Sequence, residues 1–216
     1  GSLSKKSEFI TKHGCIKQNS SSAWLSTQTV NKCVGEHISL ESLAHSYAVC
    51  GIDLSQTTDL TSACVIVEKD GILNVVSKFW LPSAKIDEAT ERDGIPYRIM
   101  IQKGFLEPSG ENFVDYTDCY NWLTQLVQKY EILPLMVGYD RYCARYLIND
   151  LEAFGFHCDD VYQGDNLWTT MQQAEGLMKD GKIKIGDNDL LRVHFLDSAV
   201  KMNNERGRGK LIKVSK

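Results

Sequence analysis

Two aspartates end short apolar runs, and they are the residues best suited to chemistry. Asp53 closes Tyr47-Ala48-Val49-Cys50-Gly51-Ile52-Asp53, and Asp140 closes Leu133-Pro134-Leu135-Met136-Val137-Gly138-Tyr139-Asp140. Each run reads as a strand. In an open α/β sheet, ligands gather outside the carboxyl ends of neighbouring parallel strands. If these two strands are neighbours, their carboxylates converge. Two such anions are comfortable only with a shared proton or with cations. Mg2+ takes one or two carboxylates and keeps the rest of its shell for water and phosphate oxygens. Two divalent ions (Mg2+ or Mn2+) about 3.5–4 Å apart activate a water and stabilise the leaving oxygen of a phosphodiester. An acid at a strand end is also an ordinary turn or helix cap. Finding one on each of these two strands favours the metal site.

Other candidates are less specific. A third acid usually completes such a site. Asp197, in Phe195-Leu196-Asp197-Ser198, is expected on the last helix with a route to the strand ends, and Glu175, Asp187 and Asp189 rank below it. Asp59 reads as a turn cap, and Asp115 as the cap of the helix that follows it. The hydroxyls of Ser55 and Thr57 suit a phosphate or only a turn. The tail carries Lys201, Arg206, Arg208, Lys210, Lys213 and Lys216 against one acid, Glu205. It is either a solvated basic end or a hairpin or loop that binds phosphates beside the acids, with Arg206, Arg208, Lys210 and Lys213 as the DNA contacts. None of the five histidines shows ligand spacing. There is no G-x-x-x-x-G-K-[ST], G-x-G-x-x-G or H-E-x-x-H.

The elements that must position these residues follow from periodicity. Strands are expected at 47–53, 62–68 and 72–81, with Lys69-Asp70-Gly71 as a hairpin turn. A loop or short helix over 82–96 precedes a short extended piece at Tyr97–Ile101. A helix over 116–130, the strand ending at Asp140, a helix over 143–154 capped by Gly155, a strand over 156–163, a helix over 167–179, a short strand at 181–185 and a helix over 190–203 complete the order. A meander followed by βα units is the layout of a ribonuclease H-like α/β fold, a mixed sheet with helices on both faces. Residues 1–46 read as an arm packing on a domain of 47–216 through Trp24 and Leu25, with a short strand or arm opened by Lys5–Ile10 and a helical stretch over 23–33. Gly1-Ser2 reads as a cloning scar.

Composition bounds the function. The 216 residues are 43% hydrophobic and 24% charged, as in ordinary globular domains. No apolar run approaches the roughly 18–20 residues of a membrane span. Seven cysteines, an odd number without a C-x-x-C pair, argue against a disulfide framework or zinc site and for a reducing cytoplasm. The net charge of −4 argues against broad nucleic-acid affinity over the whole surface, though not against a local basic groove.

The ordered set Gly51-Ile52-Asp53-Leu54-Ser55-Gln56-Thr57-Thr58-Asp59, Phe79-Trp80-Leu81-Pro82, Arg92-Asp93-Gly94-Ile95-Pro96-Tyr97, Gly104-Phe105-Leu106, Val114-Asp115-Tyr116, Gly138-Tyr139-Asp140-Arg141-Tyr142, Tyr162-Gln163-Gly164, Asn203-Asn204 and Arg208-Gly209-Lys210 resembles the nuclease domain of tailed-phage terminase large subunits. The resemblance implies a metal-dependent endonuclease that cuts concatemeric phage DNA when packaging starts and ends. It implies Asp53 and Asp140 as the first two metal-binding acids. It also implies double-stranded phage DNA, an ATPase domain, a small terminase subunit and a portal protein as partners, and the host cytoplasm as the location. The family's third acid lies in an Asp-Gly pair after the basic run, and Lys216 precedes any such pair; the domain is therefore expected to be incomplete at its C-terminus. A non-catalytic DNA- or portal-docking module, and an actin-like or sugar-kinase ATP-binding domain, are the alternatives.

Overall fold

The computed structural model describes residues 21–55, 57–141, 144–203 and 205–213. The expected piece at Lys5–Ile10 lies outside them. In chain order the elements are β1 (Ser21–Ala23), α1 (Thr27–Cys33), β2 (Tyr47–Asp53), β3 (Thr61–Lys69), β4 (Ile72–Leu81), α2 (Ile86–Asp93), α3 (Tyr97–Gln102), β5 (Leu106–Pro108), α4 (Tyr116–Gln128), β6 (Leu133–Asp140), α5 (Arg145–Phe154), β7 (Cys158–Val161), α6 (Trp168–Lys179), β8 (Ile183–Lys184), α7 (Asp189–Leu196), β9 (Ser198–Asn203) and β10 (Arg208–Lys213).

β2, β3 and β4 form the antiparallel meander, turned at Asp70 and Gly71, which both have positive φ (54° and 76°). Asp-Gly is the pair a tight hairpin turn of this kind needs. The main sheet runs β5-β4-β3-β2-β6-β7, with β8 also on β4. β6 lies parallel to both β2 and β7. Alternation along β2 sends Ala48, Cys50 and Ile52 into a core with Cys119, Leu123 and Leu126 of α4 and Leu147 and Leu151 of α5. α6, α7 and α1 flank the opposite face, so helices cover both. This is the ribonuclease H-like mixed sheet expected from the order of elements.

One irregularity decides where the acids point. Tyr47 pairs with Leu133, but Val49 pairs with Met136, so one residue of β6 is extra. A one-residue shift moves every later side chain to the other face. Beyond it Val137 pairs with Cys50, and both are buried. Gly138 then pairs with Gly51 on the opposite face.

Several boundaries differ from expectation. Tyr97–Gln102 is helical rather than extended: Pro96 precedes it, and Tyr97 and Met100, one turn apart, are buried together against Phe79 and Leu106. The expected helix over 190–203 stops at Leu196. Ser198–Asn203 instead becomes β9, the central strand of a second sheet, β1-β9-β10. Two ladders of backbone hydrogen bonds there outweigh helical propensity. Likewise Ser21–Ala23 is a strand on β9, and α1 begins only after Ser26, whose hydroxyl accepts from the Thr29 amide at 3.1 Å. Val30 and Cys33 of α1 pack with Leu25, Met178 and Ile185. As expected, Asp115 caps α4, accepting from the Thr117 amide at 2.9 Å. Gly155 ends α5 with φ 118°. Among the described residues no helix is long and apolar enough to cross a membrane.

Candidate active site

Ile52 pairs with Tyr139, so Asp53 and Asp140 are the next residues on adjacent parallel strands. Each lies two residues beyond a glycine of the Gly51–Gly138 pair and therefore shares that pair's face. The two strand positions below the acids therefore carry no side chain, and Cys64 and Val161 flank them. A Cβ on Gly138 would meet Val161 at 3.3 Å, and one on Gly51 would meet the Cys64 sulfur at 3.4 Å.

The carboxyl of Asp53 is raised above the ordinary carboxylate range. Burial is the largest cause, the negative charge of Asp140 the second and that of Asp59 the third. All three act in one direction, because each penalises the ionised form. An acid pair under this strain fits a divalent cation, whose charge offsets both the desolvation and the repulsion. The turn after Asp53 is tied down by Thr61, fully buried, whose hydroxyl donates to the Ser55 carbonyl at 2.7 Å and accepts from its amide at 3.1 Å. The Ser55 hydroxyl accepts from the Asp59 amide at 3.1 Å and is thus engaged in the turn.

The acids open into a cleft of about 710 Å³. β2, β3 and β6 form its floor. Met171 and Met178 of α6, Phe195 of α7, and Lys210 and Leu211 of β10 form its far wall. Gln163 and Gly164, just past β7, lie in this cleft and also in a second groove of about 640 Å³ against the hairpin of β9 and β10.

The remaining predicted residues are dispersed. Asp197 does not line the cleft of Asp53 and Asp140. It caps the C-terminus of α7, where the chain turns into β9, and lines a separate cavity with Asp59, Asp93, His194 and Lys213. Among the described residues no group of three or more His, Cys, Asp or Glu side chains could hold a metal ion. Glu175 pairs with Lys179, Asp187 with His37 and Asp189 with Lys103. Of the basic residues, Arg208 and Lys210 line the second groove. Arg206 also lines it, but pairs with Asp165 at 3.4 Å. Lys213 reaches Asp93 at 3.4 Å and Asp59 at 3.7 Å.

Sequence reasoning assigned no role to the cluster that receives Lys213. Asp93 accepts two hydrogen bonds from Arg92, at 2.9 and 2.7 Å, and one from the Tyr97 hydroxyl at 2.9 Å. The bond from Arg92, foremost, holds its carboxyl well below the usual range. Burial, then the bond to Asp93, pushes the Tyr97 hydroxyl up. Asp93 ends α2 and Tyr97 opens α3, so the turn at Gly94–Pro96 brings them together and no helical periodicity signals it. Tyr162 was likewise unassigned: the Arg141 guanidinium lies 4.9 Å from its ring centroid and pairs with Asp160 at 3.4 Å.

The family model for the terminase large subunit endonuclease domain matches residues 2–216. The chain belongs to this family. As a terminase nuclease domain it is similar to the terminase large subunit of Enterobacteria phage HK97, 26% identical over 167 residues, which are 76% of this chain and 32% of that protein. It therefore spans about a third of the length of that curated relative. The crystal structure of the HK97 bacteriophage large terminase superposes with a TM-score of 0.77 at 21% identity, over 98% of this chain and 46% of that one. The large terminase nuclease of thermophilic phage G20c superposes with a TM-score of 0.55 at 11% identity, over 89% of each chain. The same nuclease with bound magnesium gives 0.51 at 10% identity, over 88% of this chain and 87% of that one. These terminase likenesses establish the shared fold.

Proposed function

We propose that this terminase nuclease domain is a divalent-metal-dependent DNA endonuclease, cutting concatemeric viral DNA at the start and end of packaging. The observation that carries this reading is the pair Asp53 and Asp140 at adjacent parallel strand ends, with the Asp53 carboxyl raised by burial and by its partner's charge. Asp53 and Asp140 would hold the metal, a role consistent with the magnesium bound by the G20c nuclease. When bound, a divalent ion supplies Lewis-acid stabilisation of the charge that develops on the phosphodiester.

The chain's own residues do the rest. The Gly51–Gly138 pair puts no side chain of its own in the way of the DNA backbone. The basic hairpin holds that backbone, with Lys210 where cleft and groove meet. Leu211, Phe195 and the methionines of α6 make the far wall apolar, which lowers the local dielectric around the acids. Asp197 has no part in this reading. In this reading residues from 47 onward form the nuclease domain, and of the arm before it residues 21–46 pack on the domain through Trp24 and Leu25. Double-stranded phage DNA is the substrate; the ATPase domain, small terminase subunit and portal are the partners, in the host cytoplasm.

The test is supercoiled-plasmid cleavage by the wild-type chain and Asp140→Asn, in EDTA and after adding back Mg2+ or Mn2+. Nicking or linearisation that appears only with metal and only with Asp140 intact supports the reading. Cleavage that persists in EDTA overturns it.

A further inference from the structure

The basic residues of the hairpin fall into two classes by what they touch. Arg206 is taken up by Asp165, and Lys213 by Asp93 and Asp59. These pairs join the hairpin to the rest of the domain. Lys201, Arg208 and Lys210 are exposed, and among the described residues their side chains make no ion pair or hydrogen bond.

Their placement has a cost. Lys201 stands directly opposite Lys210 in the β9–β10 ladder. Like charges opposite one another across strands are destabilising. Arg208, two residues before Lys210, adds a third positive charge on the same face. The opposite face of the hairpin is packed: a Cβ on Gly209 would meet Val200 at 2.5 Å and Trp168 at 2.8 Å. The three cations therefore project from the outer face of an anchored hairpin. All three line the groove that meets the acid cleft at Gln163, Gly164 and Lys210. In a chain of net charge −4 these three cations share a groove whose acids are Asp165, taken up by Arg206, and Glu205.

We propose that Lys201, Arg208 and Lys210 form a phosphodiester-backbone binding site that leads the DNA into the acid cleft, and that Arg206 and Lys213 are fasteners of the hairpin which touch no phosphate. Lys201 is thus a DNA-positioning residue. The polyanion relieves the Lys201–Lys210 repulsion. The inference rests on the nuclease reading for the identity of its ligand.

The experiment is binding of a fluorescent DNA duplex in EDTA, where no metal-dependent cleavage interferes, over a series of low salt concentrations. The slope of log K against log[salt] is negative, and removing one cation that neutralises a phosphate lowers its magnitude by about 0.9. Lys201→Ala, Arg208→Ala and Lys210→Ala are each expected to lower the magnitude by about that amount, equally for unrelated duplex sequences. Arg206→Ala and Lys213→Ala are expected to leave it unchanged. Lys201→Ala should also unfold at the same or a higher urea concentration, because a repulsion is removed. An unchanged slope for Lys201→Ala, or an equal decrease in magnitude for Lys213→Ala, overturns the proposal, as does a chain that binds no duplex at any salt. Because binding is read without cleavage, a failure of the nuclease reading leaves these slopes intact and is told apart from a failure here.

Discussion

Replacing Asp93 with Ala tests the anchorage of the hairpin most sharply. The Asp93 side chain is only 8% exposed and takes two bonds from Arg92, one from Tyr97 and the charge of Lys213. Breaking a buried ion pair from one side costs about 3–5 kcal/mol, whereas exposed pairs contribute about 0–1. Arg92 is 38% exposed, so water recovers part of its deficit. The expected cost is about 3 kcal/mol, at the lower end of the buried range. With a urea m-value of about 2 kcal/mol/M, the midpoint should fall by about 1.5 M at unchanged m. The pH dependence has a definite sign. Asp93 is held below its ordinary value of about 3.9 in the folded chain, so its contribution is fully present above that value. It is lost as pH falls further, towards the folded value, while the unfolded chain takes up the proton. The gap between wild type and Asp93→Ala should therefore be constant from about pH 7 to pH 5 and shrink below about pH 4. Urea unfolding at a series of pH values measures both. A midpoint shift corresponding to under about 1 kcal/mol, or a gap that does not narrow in acid, refutes the reasoning.

Other consequences are simpler. Gly209→Val drives a side chain into Trp168 and Val200, and should cost about 1–3 kcal/mol in urea unfolding while displacing the hairpin and lowering plasmid cleavage. Asp115→Ala removes the cap of α4 and should cost about 1 kcal/mol, with Asp115→Asn nearly neutral in the same melts. Leu123→Ala, at a fully buried site between α4 and the sheet, should cost about 3–4 kcal/mol with the DNA-binding salt slope unchanged.

The sheet was legible because its strands announce themselves. β2, β3 and β4 alternate or run apolar between turn signals, and Asp70-Gly71 leaves little choice of connection. The acid pair was legible as two strand ends; that the two strands are neighbours is fixed by their pairing in the sheet. The extra residue in β6 was not visible, because register is set by pairing and not by composition. It decides that Asp140 faces the same way as Asp53. Ser198–Asn203 was hidden for a related reason. Ala199 and Val200 fit either a helix or a strand, and only the partners β1 and β10, distant in sequence or beyond a turn, select the strand. Asp197 was misleading by the same error, since its expected place on a continuing helix vanished when that helix ended. The division of the basic tail was likewise invisible. Asp93, Asp59 and Asp165 come to Lys213 and Arg206 from parts of the chain far away in sequence.

Asp53 stands at the exposed end of β2, yet its carboxyl is partly desolvated and repelled by its neighbours, and it is nonetheless an aspartate. Supercoiled-plasmid cleavage by Asp53→Asn in Mn2+, with urea unfolding of the same preparation, tests its role most directly. The amide keeps the shape of the side chain and removes the charge opposed by burial and by Asp140. Cleavage should disappear while stability stays equal or rises, the mark of a residue held for function at a cost to the fold. Cleavage at the wild-type rate by a normally folded Asp53→Asn would contradict the assignment of this acid pair as the catalytic centre.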